Sequence, residues 1–135
     1  MTAASILIID DDPDFVDITR TILETKDYTV RVAYNKDEGQ ASLEEEIPDL
    51  IILDIMMRKG AEGFVFARAL RKDERYSKLP ILMLTSIREQ TGFGFPGDPI
   101  HPTFLPVDEY MEKPIEPQVL LARVEHAEHD HFVPS

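Results

Sequence analysis

Three aspartates stand side by side at Asp10, Asp11 and Asp12, and a fourth, Asp54, closes an apolar run far along the chain. Adjacent carboxylates repel one another unless they are solvated or balanced by a cation. Carboxylates gathered round one point suit a hard divalent ion with oxygen ligands. Mg2+ fits best, because it keeps waters and shares its shell with a substrate phosphate. A carboxylate beside such an ion can attack phosphorus and form an aspartyl phosphate, while the ion neutralises charge on the phosphoryl oxygens. Asp54 is thus the candidate nucleophile, with Asp10, Asp11 and Asp54 as candidate ligands. Lys113 would supply a point charge to the same oxygens, and the Thr85 hydroxyl a hydrogen bond. Each residue also has a plainer role: Asp12 as a helix cap before Pro13, Lys113 as a surface lysine, Thr85 as a strand end. Only convergence at one place separates the two.

The elements around these residues imply that convergence. Ser5–Ile9 is a compact apolar run ending in acids, which reads as a buried strand. Asp12-Pro13 starts a helix, with Asp as N-cap and Pro at the first helical position. Phe15, Ile18, Ile22 and Leu23 recur at helical spacing and predict its apolar face. Tyr28–Ala33 alternates and is rich in β-branched and aromatic residues, predicting a second strand. Lys36–Glu46 reads as a polar helix before Pro48. Leu50–Leu53 is a third strand, Phe64–Arg71 a helix, Pro80–Leu84 a fourth strand and Glu109–Met111 a short fifth. Pro117 opens a last helix carrying Leu120, Leu121 and Val124. Alternating strands and helices imply a parallel sheet with helices on both faces. Such sheets bind ligands outside the carboxyl ends of their strands. Asp10, Asp11, Asp54, Thr85 and Lys113 all fall at such ends.

Composition narrows the function further. The chain has 135 residues, 43% of them hydrophobic, enough for one domain with a real core. Its formal net charge is −12, with 26 acidic and 14 basic residues. That balance argues against nucleic acid and against an anionic membrane surface; it suits a metal site or a basic protein partner, and solubility alone also accounts for it. The chain has no cysteine, which excludes disulfides, thiol catalysis and zinc–thiolate sites. Met1–Ile9 lacks the pattern of a signal peptide, and no apolar run approaches membrane-spanning length. The expectation is a cytoplasmic chain of one domain over residues 1–135, with a core about 5–128 and a tail at 129–135; Met1 and that tail favour a stand-alone chain.

The segments ILIIDDDPDF (6–15), PDLIILDIMM (48–57), LPILMLTS (79–86) and DEYMEKPIEP (108–117) occur in this order. Together they resemble the receiver domain of two-component response regulators, over roughly residues 5 to 128. The resemblance implies a flavodoxin-like doubly wound α/β fold, with five parallel strands in the order 2-1-3-4-5. It implies a phosphoacceptor switch or phosphorelay shuttle: transfer to Asp54 from a phosphohistidine on a sensor histidine kinase or phosphotransfer protein, with Mg2+ as cofactor. Asp10 and Asp11 match the acidic metal pair, and the Met56 carbonyl matches a further ligand. Thr85 matches the switch hydroxyl and Tyr110 the aromatic that turns inward after phosphorylation; a half-buried strand aromatic is the plainer reading of Tyr110. Lys113 matches the residue that bonds the phosphoryl group, and Pro114 follows in what is often a cis peptide. The resemblance implies a domain that catalyses only its own phosphorylation and slow dephosphorylation and is otherwise no enzyme.

Three departures from the family pattern stand out. The loop RKGAEG (58–63) is one residue longer than usual and more basic, with Arg58 and Lys59 either facing an acidic partner or solvated. The stretch Thr91–Val107 carries Pro96, Pro99, Pro102 and Pro106, too close together for a helix to persist. The family's fourth helix is therefore expected to be lost or shortened. Phe93, Phe95 and Phe104 there either form a partner surface or pack the loop onto the sheet. Met56 and Ile87 stand where the family borders the hydrolytic water, and both are apolar. In the tail, His126 and His129 share a helical face, which reads as a solvated end before a transition-metal clip.

Other readings compete with the switch. A receiver-like binding module would act without phosphorylation through the Gly/Pro/Phe-rich loop 91–107. A small phosphatase with an aspartyl-phosphate intermediate usually has a second Asp where Met56 stands. A flavodoxin-type carrier wants hydroxyls and amides where the three aspartates are, and no G-x-G-x-x-G appears for a dinucleotide. The kinase, the stimulus and the downstream protein are not written in the sequence.

Overall fold

A computed structural model of the chain describes residues 4–54, 62–85, 109–112 and 115–132. In chain order the elements are β1 (Ser5–Ile9), α1 (Pro13–Glu24), β2 (Thr29–Ala33), α2 (Lys36–Glu45), β3 (Leu50–Asp54), α3 (Glu62–Lys72), β4 (Ile81–Thr85), β5 (Glu109–Glu112) and α4 (Pro117–Phe132). The strands are parallel, and β2-β1-β3-β4 form the body of the sheet in the expected order. β5 pairs along β4, from Leu82–Glu109 to Thr85–Glu112. The region of the expected missing helix, residues 91–107, lies outside the described residues. α4 continues to Phe132, into the stretch 129–135 that was expected to be a tail.

Unbroken apolar runs form the central strands because both of their faces are covered. Ile6–Ile9 of β1 and Leu50–Leu53 of β3 are fully buried. Successive side chains point to opposite faces. Leu7, Ile9, Ile51 and Leu53 pack with Leu43 of α2 and with Phe66, Ala67 and Leu70 of α3. Ile6, Ile8, Leu50 and Ile52 pack with Val16 and Leu23 of α1 and with Leu120 and Val124 of α4. Among the described residues two helices therefore cover each face, and the strand ends are left for chemistry.

α1 begins as its sequence implies. The Asp12 side chain accepts from the N–H groups of Asp14 (3.1 Å) and Phe15 (3.3 Å), and Pro13 follows the cap. Its buried face is set differently from the expected one. Val16, Thr19 and Leu23 are buried, Phe15 and Ile22 only partly so, and Ile18 is 61% exposed. Thr19 can sit inside because its hydroxyl donates to the Phe15 carbonyl at 2.7 Å. Counting apolar side chains therefore rotated the stripe toward Ile18. α1 ends at Glu24, and in the turn that follows Asp27 takes φ 66°, a left-handed conformation that Asp tolerates better than most residues.

Two arginines hold chain ends that helices and strands leave unsatisfied. Arg71 donates to the carbonyls of Tyr76 (3.3 Å), Ser77 (3.3 Å) and Leu79 (2.7 Å), fixing the turn into β4. Arg31 of β2 donates to Ser42 O (3.0 Å), Ser42 Oγ (2.8 Å) and Glu46 O (2.5 Å), so it closes the C-terminal end of α2. Replacing Arg31 with Met keeps the stem and removes three hydrogen bonds. The expected loss is about 2 kcal/mol in urea unfolding. A change within about 0.5 kcal/mol would mean that water replaces the guanidinium there without penalty.

Candidate functional site

Strand register brings the first and third strands to the same level. Ile9 of β1 pairs with Leu53 of β3, so the residues that follow, Asp10 and Asp54, are neighbours at the carboxyl edge. Asp54 is itself the last residue of β3 and is 4% exposed; Asp10, just past β1, is fully buried. Asp11 is half-buried. One carboxylate oxygen from each of Asp10, Asp11 and Asp54 lies within 4.8 Å of the others. The three acids that the sequence singled out are thus brought together, and Asp12 turns away to cap α1.

Backbone bonds fix this corner. The Asp10 N–H donates to the Ala33 carbonyl (3.1 Å) at the end of β2. The Asp10 carboxylate accepts from the Asp12 N–H (3.0 Å), which ties the aspartate run into a tight turn. Behind it, α2 comes close to β1 at Gly39. A Cβ there would lie 2.7 Å from Ile9 Cδ1, inside contact distance. Ile9 immediately precedes Asp10, so Gly39 sets how near α2 sits to the acidic corner. Sequence reasoning passed over both Ala33 and Gly39. A glycine inside a helical pattern was the available signal for the second; a backbone carbonyl carries none.

The other candidates divide into two groups. Asp54 is level with Leu84 in β4, which places the Thr85 backbone one residue beyond it. Tyr110 lies in β5, in register with Met83. Met56, Ile87, Lys113 and Pro114 lie outside the described residues, as do Arg58, Lys59 and the phenylalanines Phe93, Phe95 and Phe104.

Three carboxylates at this range, two of them in buried residues, are costly unless a positive charge or hydrogen bonds balance them. The donor set is oxygen only, which fits a hard divalent cation and not a thiolate- or imidazole-preferring one. Asp10, Asp11 and Asp54 are the residues that could hold it. Among the described residues this is the one such group of three. No helix among them is long and apolar enough to cross a membrane.

Comparisons with known proteins point the same way. The family model for the response regulator receiver domain matches residues 6–125. The chain is 40% identical over 119 residues to the DNA-binding dual master transcriptional regulator RpaA of Synechocystis sp., covering 88% of this chain and 46% of that protein. It is 33% identical over 124 residues to the phosphate regulon transcriptional regulatory protein PhoB of Pseudomonas aeruginosa, covering 92% and 51%. The chain therefore spans about half the length of these relatives. Among solved structures, the signal receiver domain of a signal transduction histidine kinase from Syntrophus aciditrophicus superposes with a TM-score of 0.83 at 26% identity, covering 98% of this chain and 96% of that one.

Proposed function

The chain belongs to the response regulator receiver domain family, and on that footing we propose that Asp54 accepts a phosphoryl group from a phosphohistidine of a sensor histidine kinase or phosphotransfer protein. Receiver domains of this family are signalling modules and not enzymes in the ordinary sense. The observation that carries the reading is the buried carboxylate of Asp54 at a strand end, with oxygens of Asp10 and Asp11 within 4.8 Å. We place the domain over residues 1–135, with β5 as the sheet's outer strand, in the cytoplasm, acting on a protein partner.

In the proposed step an Asp54 carboxylate oxygen attacks phosphorus. A P–O bond forms, the P–N bond to the donor imidazole breaks, and the bonding pair leaves with the imidazole. Asp10 and Asp11, with the Met56 carbonyl, would hold Mg2+, which when bound offsets negative charge on the phosphoryl oxygens. The register of β1 on β3 keeps Asp54 beside this pair, so positioning is prepared before the donor arrives. Burial keeps competing water off Asp54. Lys113 contributes a fixed positive charge to the product dianion. Thr85 donates a hydrogen bond to it, and Tyr110 follows the space that this movement opens.

The test is intact mass after incubation with a small-molecule phosphodonor. One added phosphoryl group is expected with Mg2+ and none without it. No addition, where a working receiver is modified, would discard the phosphoacceptor reading and favour a module acting through residues 91–107.

Apolar residues at 56 and 87 bear on the lifetime of the product. Neither Met56 nor Ile87 can hydrogen-bond the attacking water, so loss of the phosphoryl group is slow. Introducing Met56→Asn with Ile87→Glu is expected to shorten its half-life by about tenfold or more. Decay unchanged by the pair, followed by mass over time, would show that these positions do not orient the water.

A further inference from the structure

Opposite charges divide the helical face made by α2 and α3. α3 carries Arg68, Arg71 and Lys72 against Glu62, a net charge of +2 in a chain of net charge −12. α2 carries Asp37, Glu38, Glu44 and Glu45 against Lys36, a net charge of −3. The other face differs. α1 has Asp14, Asp17 and Glu24 against Arg20, and α4 has Glu125, Glu128 and Asp130 against Arg123, so each carries −2.

The charges on α2 and α3 are arranged in stripes. On α3, Val65, Arg68, Ala69 and Lys72 fall at i, i+3, i+4 and i+7, and all four are exposed, Val65 by 62%. On α2, Asp37, Ala41 and Glu44 fall at i, i+4 and i+7, and all three are exposed. Each stripe is one or two small apolar residues flanked by charges of one sign. Among the described residues neither Arg68 nor Lys72 enters an ion pair. Two neighbouring arginines are already committed. Arg71 holds carbonyls of the turn into β4. Arg75 bonds Asp73 at 2.8 and 3.1 Å, and these hydrogen bonds hold the Asp73 carboxyl below its ordinary range.

We infer that this face is a homodimer surface, on which α3 of one copy meets α2 of a second copy, and the reverse. α2 and α3 follow parallel strands in successive βα units and run in the same direction. A two-fold axis lying in their face, along the helices, sets α3 of one copy parallel to α2 of the other. Lys72, at the end of α3, then meets the partner's Glu44, at the end of α2. Arg68 lies between the partner's Asp37 and the partner's Glu44, and Ala69 lies against the partner's Ala41. The contact is isologous, so every attraction occurs twice. Self-association through α1 and α4 would instead oppose acid to acid. α2 and α3 are short, 10 and 11 residues, so the dimer is weak. Its Kd is expected at about 10–100 µM in low salt.

Sedimentation equilibrium of the full chain tests this. A dimer is expected at about 50 mM salt, with Kd weakened about tenfold or more at about 500 mM. Two variants make the test specific: Arg68→Glu with Lys72→Glu, and Asp37→Lys with Glu44→Lys. Each alone is expected to be monomeric, since like charges then face each other twice. An equimolar mixture is expected to form a heterodimer, since both contacts again oppose unlike charges. Wild-type protein that stays monomeric through about 500 µM in low salt overturns the inference. So does a dimer that survives in either variant, or a mixture that stays monomeric while both variants keep the wild-type circular dichroism.

Discussion

Asp54→Asn is expected to lose phosphoryl uptake from a small-molecule donor by at least about a thousandfold, corresponding to about 4 kcal/mol of lost activation. In the proposed step the carboxylate is the attacking group, and an amide oxygen has neither its charge nor its nucleophilicity. Fold is not the reason for the loss. Asn matches Asp in size, so β3 keeps its place between β1 and β4. The new amide hydrogens can donate to the oxygens of Asp10 and Asp11, which lie within 4.8 Å of the replaced group. Thermal stability should therefore hold or rise while uptake disappears. Intact mass and a melting curve on the same sample separate these two outcomes. Retained uptake would move the acceptor to another carboxylate, and peptide mapping would look first at Asp11, the most accessible of the three.

Much of this site was legible because its residues sit where two sequence signals coincide. Asp10 and Asp54 each close an apolar run, and an apolar run buried on both faces can only be a central strand. Once strands alternate with helices, their carboxyl ends share one edge, and the acids follow. Asp12 was legible as a cap because Pro13 fixes the helix start. Elsewhere local pattern misled or was silent. Ile18 fits a helical stripe, yet Thr19 takes the buried position by satisfying its hydroxyl within the helix. Arg31 and Arg71 act on carbonyls 11 to 15 and 5 to 8 residues away. Those partners are backbone atoms, which every residue has, so composition and spacing do not mark them. The tight approach at Gly39 depends on how α2 packs on Ile9, a tertiary fact that one glycine in a helix only hints at.

Asp10→Asn is expected to stabilise the metal-free protein and to remove its response to Mg2+, and the two effects have one cause. Unit charges of like sign within 4.8 Å of one another repel by at least about 3 kcal/mol at an effective dielectric of about 20. Asp10 is fully buried and Asp54 nearly so, so water screens this pair poorly. Hydrogen bonds such as that from the Asp12 N–H offset part of the repulsion, and Asn keeps an oxygen that can accept the same bond. Net gain should be about 1–2 kcal/mol, a rise of about 3–8 °C in Tm. Repulsion that the other partners of these acids leave unbalanced is recovered when a cation binds. Binding to the folded state adds about 2.7 kcal/mol when Mg2+ is at 100 times its Kd. Wild-type Tm should thus climb with Mg2+ and overtake the variant, whose curve stays flat. A variant less stable than wild type without Mg2+ would mean that the Asp10 charge is balanced within the protein itself, making the acidic corner a structural feature with no cation to hold.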